Sequence, residues 1–243
     1  MAFAAFLWAH PDDVPTGPPV AQDVPGPVLL VPGYGGGTGT LDPLAQQLRA
    51  AGRTAVVVEP GGDGTGDLRE VAAQLDRAAR ALLDAGAPSV DVVGFSAGGV
   101  TARLWADELG GHEVARRVVT LGSPHHGTDV AALAAAFASA SCPAACRQLV
   151  PGSDLLAGLD ETPDGPRWVS IWTAQDRTVT PPDSARLDDA VNIELQQVCA
   201  DATVAHAQLP TDPLTVELVR RALAVEPLEA APPPSECTVL RGG

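Results

Sequence analysis

Short runs of aliphatic and β-branched residues recur along the chain at Val28–Val31, Ala55–Val58, Val90–Val93, Val118–Leu121 and Trp168–Trp172, with Asn192–Gln197 as a sixth. Most are apolar at nearly every position. That is the pattern of parallel strands buried on both faces, not of strands with one wet side. Helical spacing fills the intervals. Leu68, Val71, Leu75, Ala79 and Leu82 fall on one face of a helix over 67–85 that Gly86 ends. A second helix over 41–51 has Thr40 as its expected cap and Pro43 in its first turn, and stops at Gly52. Two more are predicted over 98–109 and 211–225. Strand and helix alternate without an internal repeat. The expected architecture is therefore α/β: a mostly parallel sheet of about six strands with helices on both faces.

Three stretches fall outside this alternation. Residues 1–27 contain a proline-rich arm with Pro11, Pro15, Pro18, Pro19, Pro25 and Pro27, and residues 226–243, with Pro232-Pro233-Pro234, read as an extended tail. The main domain is thus expected over 28–225. Within it, residues 122–167 form a long excursion after the Val118–Leu121 strand, where α/β proteins build their sites. Its alanine-rich part, Val130 to Cys142, is too short for the ~18 residues that span a bilayer and reads as a surface or lid helix.

Charge narrows the chemistry. The 243 residues carry a net charge of −15, and all 15 basic residues are arginines. An acidic surface disfavours nucleic acid and anionic membranes and leaves neutral esters unaffected. The absence of lysine removes Walker A phosphate binding, Schiff bases and Ser-x-x-Lys pairs. No cofactor is implied.

The strongest motif is Gly94-Phe95-Ser96-Ala97-Gly98, placed between a strand and a helix as a nucleophile elbow requires. Ser96 is the expected nucleophile. Its base should lie far downstream. Of His10, His112, His125, His126 and His206, only His206 follows the last strand. The orienting acid should follow a strand between the two. Asp176, just past Trp168–Trp172, fits better than Asp183, Asp188 or Asp189. The glycine-rich stretch Pro32-Gly33-Tyr34-Gly35-Gly36-Gly37 follows the first strand. It lacks a Gly-x-Gly-x-x-Gly frame and reads as half of an oxyanion hole, with the Tyr34 and Ala97 N–H groups as donors. Gly33, Gly35, Phe95, His125 and His126 are the expected pocket residues. The His125-His126 pair lacks a third metal ligand, so no metal site is expected. The expected reaction is ester hydrolysis through an acyl-Ser96 intermediate. Its rivals are acyl transfer to an alcohol by the same intermediate, a non-catalytic binding module on a hydrolase fold, and nucleotide binding.

Four cysteines, Cys142, Cys146, Cys199 and Cys237, permit two disulfides, and spacing suggests 142 with 146 and 199 with 237; free thiols are the alternative. Disulfides would imply an oxidising compartment. Met1–Ala9 lacks the basic start of a signal peptide.

These motifs together resemble the small bacterial lipases and esterases of the α/β-hydrolase superfamily, particularly lipase class 2. The resemblance rests on Val31-Pro32-Gly33-Tyr34-Gly35-Gly36, Val92 to Gly99, Leu121-Gly122-Ser123-Pro124-His125-His126-Gly127-Thr128, the strand before Asp176, and Ala205-His206, and spans roughly residues 28–225. It implies Ser96, Asp176 and His206 as a triad, Tyr34 and Ala97 as oxyanion donors, neutral ester or lipid substrates, a monomer, and for the secreted actinomycete members disulfide-bonded cysteines. Two departures stand out: Pro32-Gly33 where the group often has His-Gly, and an insertion over 198–203.

Overall fold

A computed structural model describes residues 20–138 and 142–242. Expectations for residues 1–19, the start of the chain included, lie outside the described residues. Six strands form one sheet: β1 (Val28–Val31), β2 (Ala55–Val57), β3 (Val90–Phe95), β4 (Ala115–Leu121), β5 (Arg167–Trp172) and β6 (Val191–Glu194). Their order is β2-β1-β3-β4-β5-β6, and every pairing is parallel. The chain moves outward from β1 to β2, then returns to place β3 on the other side of β1. The order reverses there, so the carboxyl ends of β1 and β3 flank a crevice in which ligands of open α/β sheets bind.

Near-continuous apolar strands bury both faces. Val28, Leu30, Val93, Phe95, Val119 and Leu121 point to one core, where they meet helix α1 (Asp42–Ala50) and helix α8 (Pro213–Ala222). Leu29, Val31, Val90, Val92 and Val118 point to the other, against α2 (Leu68–Asp84) and α3 (Ala97–Glu108). In α2 the buried side chains are Leu68, Val71, Ala72, Leu75 and Ala79, and Asp67 caps it by accepting from the Arg69 N–H at 2.9 Å. Thr40 does not cap α1. It lies in a 3₁₀ turn, Thr38–Thr40, and the capping position is Leu41 without a side-chain bond.

The sixth run of the sequence splits. β6 ends at Glu194, and Leu195–Val198 turns into helix α7. Leu195 and Val198, three apart, are both buried, which suits a helical turn and not a strand of period two. Gln196 instead reaches the Thr173 hydroxyl and the Ala202 carbonyl. The C-terminal segment departs from the extended tail expected of it. A 3₁₀ turn (Pro234–Glu236) leads into a short helix, α9 (Cys237–Leu240), whose Leu240 is buried. Cys199–Cys237 fastens it to the end of α7, and Cys142–Cys146 is the second disulfide.

A charged cluster closes the sheet at the end opposite the crevice. Asp91, the second residue of β3, and Arg116, in β4, are both fully buried. Arg116 Nε and Nη2 donate to Asp91 at 3.0 and 2.6 Å, and Arg53 Nη2 adds a bond at 2.5 Å. Arg116 also donates to the carbonyls of Gln22, Leu223 and Ala224. The segment 20–27 is thereby tied to the domain, and Gly26 lies so close to Ser89 that a Cβ would sit 1.9 Å from its carbonyl oxygen.

Within the excursion 122–167 the helices are α4 (Asp129–Phe137), α5 (Ala144–Gln148) and α6 (Asp154–Gly158). The buried Arg103 of α3 anchors the loop after β4 and the segment before β5. Its guanidinium donates to the carbonyls of His125, Leu159 and Asp160. No helix among the described residues is long and apolar enough to cross a membrane.

Candidate active site

Ser96 is the residue between β3 and α3. Its backbone is left-handed, with φ +54° and ψ −127°, a strained conformation for a side chain with a Cβ. The flanking glycines make the turn feasible. A Cβ on Gly94 would lie 2.5 Å from the Gly98 carbonyl oxygen, and one on Gly98 would lie 2.2 Å from that of Val31. The serine is thus raised at the crevice, at the amino end of a helix, where the dipole favours negative charge.

The structure brings Ser96, His206 and Asp176 together. His206 Nε2 stands 3.0 Å from Ser96 Oγ, and His206 Nδ1 stands 2.6 Å from Asp176 Oδ2. A carboxylate only accepts, so Nδ1 carries the proton and Nε2 is left to accept from the serine hydroxyl. Asp176 is buried, and its other oxygen accepts the N–H groups of Thr178 and Val179, both at 2.8 Å. The ring of Phe95 lies 5.1 Å from that of His206. Gly122 passes close to the pair: a Cβ there would be 3.2 Å from His206 Nδ1 and 3.3 Å from Asp176 Oδ2.

The loop after β1 leans on Ser96, with a Gly33 Cβ position 3.0 Å from the serine Cβ. Two of its backbone donors are committed, Gly35 N–H to the Gly64 carbonyl and Gly36 N–H to that of Gly33, while among the described residues those of Gly33 and Gly37 are not. Pro32 has none. Among the described residues, the N–H groups of Tyr34 and Ala97 have no acceptor within the protein.

Two clefts flank the Ser96–His206 pair. The one on the serine side has a volume of about 230 Å³ and is mostly apolar; Ser96, Val130, Ala131, Ala134, Leu149 and Val179 are among its lining residues. The one on the histidine side is larger, about 580 Å³, and is lined by Asp176, Arg177, Thr178, Ala205 and His206 among others. Thr178 borders both.

A profile of the palmitoyl protein thioesterase family matches residues 27–155, more than half of the chain. The chain belongs to the palmitoyl protein thioesterase family. No curated protein matches it. Among solved structures, lipase B of Aspergillus fumigatus superposes with a TM-score of 0.74 at 20% identity, over 92% of this chain and 58% of that one. A Bacillus licheniformis lipase in its mature form superposes with a TM-score of 0.67 at 18% identity, over 91% and 97% of the two chains. Its propeptide form gives 0.69 at 18%, over 87% and 52%. The chain therefore spans a little over half the length of the fungal lipase and of the propeptide form. These likenesses establish the α/β-hydrolase fold that the sequence motifs anticipated.

Membership in this family does not place the two adjacent histidines at the cleft. His125 is fully buried, with Nε2 3.1 Å from Thr120 Oγ1 in a chain that continues to Ser170 and the Ala185 carbonyl. His126 is half exposed and pairs with Glu161 and the Ser184 carbonyl. Neither lines the apolar cleft, and nor do Gly33, Gly35 or Phe95. The cleft walls come instead from α4, Leu149 and the turn after Asp176. Among the described residues no three His, Cys, Asp or Glu side chains gather to hold a metal ion.

Burial, and secondarily the nearby Arg103, hold the His125 pKa well below the usual 6.5. The folded protein therefore keeps His125 neutral while the unfolded chain takes up a proton below about pH 6.5. Stability is present above that pH and is lost as pH falls through it. Between about pH 7.5 and 5.5 this residue is expected to account for a loss of stability on the order of 1 kcal/mol. Urea unfolding of the wild type and of His125→Gln across that range checks it: the variant should show the smaller decline.

Proposed function

We propose that the protein is a serine acyl hydrolase that cleaves carboxylic esters through an acyl-Ser96 intermediate. The observation that carries this is the chain of hydrogen bonds from Ser96 through His206 to Asp176. His206 Nε2 takes the hydroxyl proton as Ser96 Oγ attacks the substrate carbonyl. Asp176 holds the imidazole in the required tautomer and offsets its positive charge. The free N–H groups of Tyr34 and Ala97 receive the oxyanion. His206 then returns the proton to the departing alcohol, and water hydrolyses the acyl-enzyme by the same route in reverse.

The apolar cleft beside Ser96 suits the acyl chain. Neutral esters, acylglycerols included, fit this reading, and the family's name adds acyl thioesters. In this role α4 forms a lid-like wall of the acyl cleft, since Val130, Ala131 and Ala134 all border it. The two disulfides accord with an oxidising, secreted setting.

A chromogenic ester panel across acyl lengths tests the assignment, with Ala134→Phe as the probe of the cleft. The added ring fills space beside the acyl chain. The preferred acyl length should shorten, with kcat/KM for long-chain esters falling at least about tenfold relative to short ones. An unchanged length profile would show that the chain binds elsewhere.

A further inference from the structure

Arg177 is set apart from every other arginine of this chain. Each of the others makes a hydrogen bond, an ion pair or a contact with an aromatic ring. Arg177 is exposed and makes none among the described residues. Even the arginines that lack a carboxylate partner, such as Arg49, Arg147 and Arg186, are held by carbonyls or an aromatic ring, so an arginine with no partner at all is the exception. It follows Asp176 directly and lines the cleft on the histidine side.

The position of that cleft matters chemically. The group that leaves the acyl carbonyl must take its proton from His206 Nε2. With the acyl chain in the apolar cleft beside Ser96, the leaving alcohol or thiol exits on the side that His206 lines. We infer that Arg177 is a specificity-determining residue for the leaving group and selects alcohols or thiols that carry a carboxylate or phosphate. The inference rests on the acyl-hydrolase reading and extends it from neutral esters to esters whose leaving group bears an anion. A small anion suits the site and a polyanionic surface does not. Among the described residues Arg177 is the one arginine free to receive it, and the acidic protein repels extended negative charge. The planar guanidinium can hold a carboxylate or phosphate by two parallel hydrogen bonds.

A matched pair of substrates tests this: the octanoate ester of a nitrophenol and that of the same nitrophenol bearing a ring carboxylate. The measured quantity is the ratio of their kcat/KM values. In Arg177→Gln the ratio of carboxylated to plain ester should fall about five- to tenfold, and further in Arg177→Glu. Arg177→Lys should retain most of it, and salt should erode the wild-type preference. A ratio that is the same in wild type and Arg177→Gln overturns the inference while leaving hydrolysis intact. Binding of the carboxylated nitrophenol alone, by calorimetry on Ser96→Ala and on Ser96→Ala with Arg177→Gln, gives a readout that needs no turnover. Weaker binding in the double variant supports the assignment even if the ester chemistry fails. Equal binding in both overturns it.

Discussion

Ser96→Ala is expected to lower kcat on esters by roughly 10⁴-fold or more, toward the about 10⁶-fold loss that removing the nucleophile of such a triad causes. The alanine keeps the left-handed turn and the cleft, so the variant should fold and bind substrate with little change. A fluorophosphonate should label the wild type in a one-to-one ratio and leave the variant untouched. Asp176→Asn should cost about 10⁴-fold, because an amide can hold His206 in the wrong tautomer. Full ester hydrolysis by Ser96→Ala would remove the proposed mechanism altogether.

A large effect on stability is expected at the other end of the same strand. Asp91→Ala would leave the fully buried Arg116 without its carboxylate, and breaking a buried pair in this way costs about 3–5 kcal/mol. For a domain of this size that corresponds to a fall in Tm of roughly 10 °C. Arg116 would keep its three carbonyl acceptors, which sets the loss nearer the lower figure. Urea unfolding measures it directly. A change below about 1 kcal/mol would mean that water reaches the guanidinium and replaces the carboxylate.

The sheet was legible because its strands are apolar on both faces, a pattern that only helices on both sides can satisfy. Ser96 was legible because its turn tolerates glycine and little else, and because strand and helix bracket it. His206 followed from chain order, with no other histidine downstream of the last strand. The helical turn at Leu195 was hidden: Asn192 to Gln197 contains both an apolar alternation and a pair at helical spacing, and burial decided for the second. The cleft walls were hidden for a different reason. Ala131, Ala134, Leu149 and Val179 are ordinary core residues in composition, and only the path of the excursion sets them beside Ser96. The two histidines are chemically versatile side chains, yet one is a buried link between β4 and β5 and the other is paired near the surface. Asp91 could have been noticed as a lone charge in an apolar run, with Arg116 and Arg117 opening the next strand. Opposite charges near the start of two adjacent strands are the signal, although the register sets Asp91 opposite Arg117 and only a shift between Val90 and Asp91 brings Arg116 to it.

The two disulfides enclose very different lengths of chain, residues four apart in one case and 38 apart in the other. A crosslink acts chiefly by removing conformations from the unfolded chain, and the effect grows with the loop it closes. On that account the Cys199–Cys237 link contributes about 4 kcal/mol and the Cys142–Cys146 link about 2 kcal/mol. The longer link holds α9 and the final segment against the domain. The shorter one adds less to stability, but Cys146 borders the apolar cleft. Reducing agents therefore act on this molecule in two separable ways. At one site they loosen the whole fold, and at the other they release one wall of the apolar cleft.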